Sequence, residues 1–95
     1  MIYKIIIEPE AFEDLINIKT YITREDSITK AQQFLSELQA KIKTLSSMPN
    51  RCRKSLYTNT QNTHDLIYKK YTIVYKIIDD TVHVLTIFKQ RNYAE

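Results

Sequence analysis

Glycine is absent from all 95 residues, and that one absence removes several functions. Phosphate-cradling loops of the P-loop and dinucleotide-binding kinds need glycine where the backbone approaches the ligand, so nucleotide hydrolysis by those routes is excluded. Turns must instead use Asp, Asn, Ser and Pro, and the candidates are Asp79-Asp80, Pro49-Asn50 and the polar stretch Thr58 to Thr63. Cysteine is nearly missing too. Cys52 stands alone, which rules out an internal disulfide and a cysteine-only zinc site and leaves a small, partly buried side chain as its expected role. The two histidines, His64 and His83, lie far apart, and neither stands at metal-ligand spacing from another His, Cys or carboxylate. No metal and no cofactor are expected. No apolar run approaches the ~18 residues of a membrane span, and the N-terminus lacks the basic, apolar, small-residue order of a signal peptide. A cytoplasmic protein without membrane contact is expected.

Acidic residues are missing between Glu37 and Asp65, while Lys41, Lys43, Arg51, Arg53 and Lys54 all fall there. This gap divides the overall charge of +3. Residues 1–37 hold four Lys/Arg against seven Asp/Glu, a net −3, and residues 38–95 hold ten against four, a net +6. A basic half of this kind predicts an acidic partner, either nucleic acid or an acidic protein segment. Some of the same charge also protects an edge strand from pairing with other chains.

What is present fits one folded domain spanning residues 1–95. The apolar fraction of 43% and the aromatic fraction of 11% are those of a globular protein. A chain this short buries only roughly 60 to 65% of its unfolded surface, so a long internal active-site cleft is not expected.

The chain is organised around Leu66 to Phe88, which reads as three strands joined by two tight turns. Tyr71, Ile73, Tyr75 and Ile77 alternate with Thr72, Val74, Lys76 and Ile78, the period of 2 of a strand with two unlike faces. With Asp79-Asp80 as a two-residue turn, Ile77 pairs with Val82, Tyr75 with Val84, Ile73 with Thr86 and Tyr71 with Phe88, all on the core face. The register rests on that loop length, since one extra residue would swap the faces. The opposite face, with Thr72, Val74, Lys76 and Ile78 against Thr81, His83, Leu85 and Ile87, mixes polar with apolar and is a candidate binding surface. His83 is expected to be solvated beside Lys76.

Ahead of this sheet, Ile2 to Ile7 forms a β-branched run that reads as a strand joining it. Pro9 ends the strand and starts a helix, helped by the acids Glu8, Glu10, Glu13 and Asp14 near its positive end. Phe12, Leu15, Ile18, Tyr21 and Ile22 form its apolar stripe through about residue 23. Arg24 to Ser27 is the connection, with Asp26 or Ser27 capping a second helix whose stripe is Ala31, Phe34, Leu35, Leu38, Ile42 and Leu45 and which ends before Pro49. Phe34, Leu38 and Ile42 should face Ile73 and Tyr75. Arg51 to Asn62 is irregular and begins with a predicted edge strand from Lys54 to Thr58. The fold class that follows is α+β: an N-terminal strand, then an antiparallel helical hairpin packed on one face of a mainly antiparallel twisted sheet.

Catalytic signals are sparse. No nucleophile elbow occurs. Metal-independent RNA cleavage needs a base for the ribose 2′-OH, cations for the charged phosphorane and an acid for the leaving oxygen. The residue types exist in Arg53, Lys54, His64, Lys89, Arg91 and Tyr93, without a spacing that singles them out.

As a whole the sequence resembles the RelE/ParE superfamily of toxins from type II toxin-antitoxin modules. The segments that carry this are EPEAFEDLINIKTYI, AQQFLSELQAKIKTLSSMP, RCRKS, HDLIYKKYTIVYKIIDD and VHVLTIFKQRNY, in that order over nearly the full chain. The resemblance implies growth inhibition held in check by a cognate antitoxin, expected on Val74, Lys76, His83 and Leu85. RelE-like members cut mRNA on the ribosome with basic residues on the sheet, among them an Arg after the first Tyr of a Y-R-x-V-Y pattern. Here that position is Thr72, and Asn92-Tyr93 replaces the His-Tyr ending of some ribonucleases. The P-x-x-C/G-R-x-S segment, here Pro49 to Ser55, looks like the ParE branch, whose members poison DNA gyrase, although the Arg often found ahead of Leu66 is His64 here. The leading expectation is therefore a gyrase inhibitor with Arg51, Arg53, Lys54, Lys89, Arg91, Asn92 and Tyr93 as target surface. The rival is a ribosome-dependent mRNA endonuclease with Arg53, Lys54, Arg91 and Tyr93 near the scissile phosphate. A third reading is an inactive homologue that only binds antitoxin.

Overall fold

The computed structural model describes residues 2–56 and 62–89, the Arg51 side chain apart. Strand β1 (Lys4–Ile7) leads into helices α1 (Pro9–Glu25) and α2 (Ile28–Lys43). Two 3-10 turns, Thr44–Ser46 and Pro49–Arg51, then lead to strands β2 (Arg53–Lys54), β3 (Thr63–Tyr68), β4 (Tyr71–Ile78) and β5 (Thr81–Lys89). The sheet runs β1-β5-β4-β3-β2. Three antiparallel pairs follow one another along the chain, and β1 joins the far edge parallel to β5. This is the expected α+β architecture, with both helices on one face.

The helix signals act as their chemistry demands. Pro9 occupies the first turn of α1, where its missing N–H costs nothing. Ser27 caps α2, its hydroxyl accepting the Lys30 N–H at 3.1 Å. The connection is shorter than Arg24 to Ser27, because α1 continues through Glu25 and the Asp26 N–H still donates to the Ile22 carbonyl. The stripe of α1 is also rotated from its expected position. Ala11, Leu15 and Ile18 are buried, whereas Phe12 and Tyr21 are 59% and 47% exposed. Ala11 is fully covered, and its small side chain lets the helix approach the sheet closely.

Leu38, Ile42 and Leu45 bring the second stripe into one core with Ile73, Tyr75, Val82, Val84 and Ile87. Phe34 sits at its rim between Tyr71 and Tyr68, with ring centroids 5.2 and 5.9 Å away. Burying side chains of this size stabilises by about 1.5–3 kcal/mol each before the entropy of ordering them is subtracted.

The expected strand register holds only near the turn. Ile77 pairs with Val82 and Tyr75 with Val84, but Val74 then pairs with Thr86, Ile73 with Ile87 and Tyr71 with Lys89. Leu85 is an extra residue in β5, a bulge, so the pairings of Ile73 with Thr86 and Tyr71 with Phe88 do not form. The shift sends Ile87 to the core, at 2% exposure, in place of a threonine. A second cause is visible beyond the end of β1, whose pairing with β5 runs only from Thr81 to Val84. There the Asp14 carboxylate accepts both the Ile87 N–H and the Thr86 hydroxyl, each at 2.9 Å. The helix supplies an acceptor that a neighbouring strand would have supplied.

Without glycine, the turns place other residues in the left-handed region: Asn62 at φ 62°, Lys69 at φ 55° and Asp79 at φ 54°. Asp79-Asp80 is the expected two-residue turn. The predicted edge strand from Lys54 to Thr58 is instead Arg53–Lys54, and residues 57–61 lie outside the described residues.

Candidate target-binding surface

Strand alternation separates the basic residues that the sequence grouped together. Arg53 pairs with Asp65 and Lys54 with His64, so the two cations point to opposite faces of the β2 edge. Arg53 lies on the face away from the helices. Lys89 pairs with Tyr71 on the helix side, its Nζ 5.3 Å from the centre of the Tyr21 ring. Arg53 and Lys89 therefore lie on opposite faces. The backbone of Arg51 closes the second 3-10 turn, and Arg91, Asn92 and Tyr93 lie outside the described residues.

The outer sheet face is less open than alternation implies. Lys76, His83 and Leu85 are partly exposed, but Thr72 is fully buried and Val74 is 2% exposed. The chain leaving β2 turns over this face, so that the Leu56 N–H donates to Asp65 Oδ2 at 3.1 Å. Arg53 Nη2 approaches the same oxygen at 3.5 Å, with its side chain 45% exposed against 0% for Asp65. Asp65 Oδ1 and Thr72 Oγ1 are buried without a hydrogen-bond partner among the described residues. His83 is not simply solvated beside Lys76, since its Nδ1 lies 2.7 Å from Glu8 Oε2. Glu8 precedes α1 but makes no capping bond, its carboxylate being taken by His83.

His64 lies on the helix-side face, 8% exposed, its ring 5.5 Å from that of Tyr75 and inclined by 19°. Its Nδ1 is 2.9 Å from the Cys52 carbonyl oxygen. A carbonyl only accepts, so Nδ1 carries the proton. The Tyr75 hydroxyl donates to the Pro49 carbonyl. Two adjacent strands thus hold the irregular segment from both faces.

A second polar cluster ties the β3–β4 turn to α2. Tyr68 donates to Glu37 Oε1 at 2.8 Å and Lys69 Nζ approaches the same oxygen at 3.2 Å. The Tyr68 hydrogen bond, with Lys69 behind it, holds the Glu37 carboxyl below its ordinary value, and the same bond raises the Tyr68 phenol. Burial, with Tyr21 adding to it, raises the Tyr71 phenol. Lys69 also lies over the Phe34 and Tyr68 rings at 5.7 and 5.4 Å. These contacts fasten a left-handed turn residue, Lys69.

A groove of about 490 Å³ runs between β1 and α2. Its lining is largely apolar, with Ile5, Ile7, Leu15, Ala40 and Ile42 and a rim that includes Lys43. Among the described residues, no three His, Cys, Asp or Glu side chains gather in a way that holds a metal ion, and no helix is long and apolar enough to cross a membrane.

Solved structures share this fold. A chain of the chromosomal ParDE toxin-antitoxin system from P. aeruginosa superposes with a TM-score of 0.82 at 13% identity, covering 95% of this chain and 98% of that one. A chain of the toxin-antitoxin complex RelBE2 from Mycobacterium tuberculosis gives 0.72 at 20% identity, covering 97% and 95%. A mutant of E. coli toxin RelE in the free state gives 0.67 at 16% identity, covering 94% and 84%. At these identities the likeness establishes the fold. A comparison with curated protein sequences finds no match. The family follows from the sequence itself: residues 5–93 match the model of the ParE toxin of the type II toxin-antitoxin system parDE, and the chain belongs to that toxin family.

Proposed function

We propose that this toxin arrests growth by binding DNA gyrase through the surface around Arg53 and Lys54, and that it does not cut RNA. The observation that carries this reading is the chemistry of the outer sheet face. RNA cleavage without a metal needs an acid, a base and cations converging on one phosphate. Here Thr72 is buried, and the buried Asp65 carboxylate lies diagonally across from it and disfavours a phosphate. Arg53 leans on that carboxylate, Lys54 points the other way, and His64 and His83 are engaged by Cys52 and Glu8. The His83–Glu8 pair lies three strands away from Arg53 in the sheet order, and a surface with exposed cations beside which, among the described residues, no acid and base converge suits capture of an acidic protein face.

The second partner is a cognate antitoxin, as the toxin-antitoxin complex among the similar structures supports. The apolar groove beside the β1 edge suits one or two apolar anchors of that partner, flanked by acids that meet Lys43. Of the outer-face residues, Lys76, His83 and Leu85 remain accessible to it, whereas Val74 is covered. Ala40→Glu is expected to weaken antitoxin binding, and Lys76→Ala to change it little.

The test is induction in a bacterium with DNA supercoiling, DNA breaks and mRNA integrity followed together. Loss of supercoiling with intact mRNA is expected. Early mRNA fragmentation with normal supercoiling would replace gyrase by the ribosome as target, and unimpaired growth would leave an antitoxin-binding homologue. Tyr93→Phe separates the first two independently. It is mild for a binding inhibitor, which keeps the ring, whereas a nuclease losing general acid-base help slows by about 10² to 10⁴.

A further inference from the structure

The segment from Pro49 to Leu56 has one 3-10 turn and a two-residue strand, too little regular structure to hold it by backbone pairing alone. Side chains supply what is missing. Tyr75 donates to the Pro49 carbonyl, His64 to the Cys52 carbonyl at 2.9 Å, and Asp65 accepts the Leu56 N–H at 3.1 Å. The three residues are cross-strand neighbours, His64 pairing with Tyr75 and Asp65 standing next along β3. His64 reaches the segment from the helix side and Asp65 from the outer side, so it is gripped at three successive points from both faces. Asp65, with its side chain at 0% exposure, is a buried carboxylate that accepts from Leu56 at the exposed end of the segment. Burying a charge is costly, and the Leu56 N–H and Arg53 Nη2 are the donors that offset the cost here. Arg53 also leans on the Asp65 carboxylate at 3.5 Å, yet its side chain stays 45% exposed, and Lys54 beside it is exposed.

We propose that His64, Asp65 and Tyr75 are positioning residues that hold the Pro49–Leu56 segment in its binding conformation, presenting Arg53 and Lys54 to an acidic face of a protein target. This rests on the gyrase-binding reading above and adds how the affinity arises. Charges steer encounter and set its salt dependence, whereas a segment already ordered before contact loses less freedom on binding and dissociates more slowly. The two contributions are therefore separable in kinetics.

The experiment compares two substitutions of His64. His64→Phe keeps an aromatic ring against Tyr75 and removes the donor. His64→Asn removes the ring and keeps an N–H donor near the place of Nδ1. Binding to purified DNA gyrase is followed at several salt concentrations, beside Arg53→Ala and Lys54→Ala. His64→Phe is expected to dissociate roughly tenfold faster, the size of effect of ordering one or two side chains on binding, with association and its salt slope unchanged. His64→Asn should stay within about twofold of the parent, and the two cation deletions should slow association and flatten its salt slope. In parallel, hydrogen exchange of the Leu56 amide, referred to the amides of β4, should quicken in His64→Phe and not in His64→Asn. If His64→Phe binds like the parent while His64→Asn is damaged, the ring and not the donor matters and the proposal is overturned. An unchanged Leu56 amide in His64→Phe overturns the positioning step whatever the target is. If Leu56 exchange responds as expected while both cation deletions leave gyrase binding intact, the grip is real but the presentation to gyrase is overturned, and the target reading falls with it.

Discussion

Asp14→Ala tests whether a helix carboxylate holds the bulge in β5. Asp14 Oδ2 accepts two donors, the Ile87 N–H and the Thr86 hydroxyl, each at 2.9 Å and both beyond the end of β1. A hydrogen bond to a charged group contributes about 1.5–3 kcal/mol, and a donor left unpaired in a buried place costs a similar amount. The carboxylate is partly exposed and one oxygen serves both donors, so we expect a loss of about 2–3 kcal/mol and not the full double sum. For a domain of this size each kcal/mol lowers Tm by roughly 4–8 °C, which predicts a fall of about 8–24 °C. Asp14→Asn retains a carbonyl oxygen able to accept both donors and should lose about half as much. Urea unfolding with an unchanged m value is the assay, and exchange of the Ile87 amide is the local readout, expected to accelerate well beyond that of Val84. A loss below about 0.5 kcal/mol in Asp14→Ala, with the Ile87 amide still protected, would refute the idea that α1 completes the sheet edge.

Leu38→Ala removes a side chain of 0% exposure and should cost about 2–5 kcal/mol in urea unfolding; a cost below ~1 kcal/mol would mean that the core closes over the gap. Asp79 holds φ 54° in the β4–β5 turn, a conformation that costs an L-residue roughly 1–2 kcal/mol. Asp79→Gly should therefore raise stability, by no more than about 1 kcal/mol after the added freedom of the unfolded chain, and a clear loss would count against strain there. Glu37 has its carboxyl held below the ordinary value of 4.5, first by Tyr68 and then by Lys69. A lowered folded-state value means that its contribution is present above about pH 4.5 and is lost as acid titrates the folded group. Tyr68→Phe should move the Glu37 titration back toward 4.5 when followed by NMR, and an unmoved titration would assign the shift to something other than the phenol.

The sequence by itself determined the elements and their layering. Alternation from Tyr71 to Ile78, the spacing of three and four in Leu38, Ile42 and Leu45, Pro9, Ser27 and Asp79-Asp80 all act within a few residues of themselves, so local periodicity suffices to read them. It also carried the family, through the order of segments from EPEAFEDL to FKQRNY. Tertiary structure alone decided the register beyond Val84 and the fate of the polar groups. Asp14 lies 72 and 73 residues from Thr86 and Ile87, Glu8 lies 75 from His83, and Glu37 lies 31 from Tyr68. An acid in an amphipathic pattern announces only that it is polar; which distant donor reaches it depends on how helix and strand edges meet. The same holds for the candidate surface. Arg53, Lys54 and Lys89 form one basic population in the sequence, and strand pairing, whose side chains alternate between faces, distributes them over opposite sides of the sheet. Asp65 reads as one polar position in a strand, and it is buried because the chain leaving β2 folds back over it to use its carboxylate.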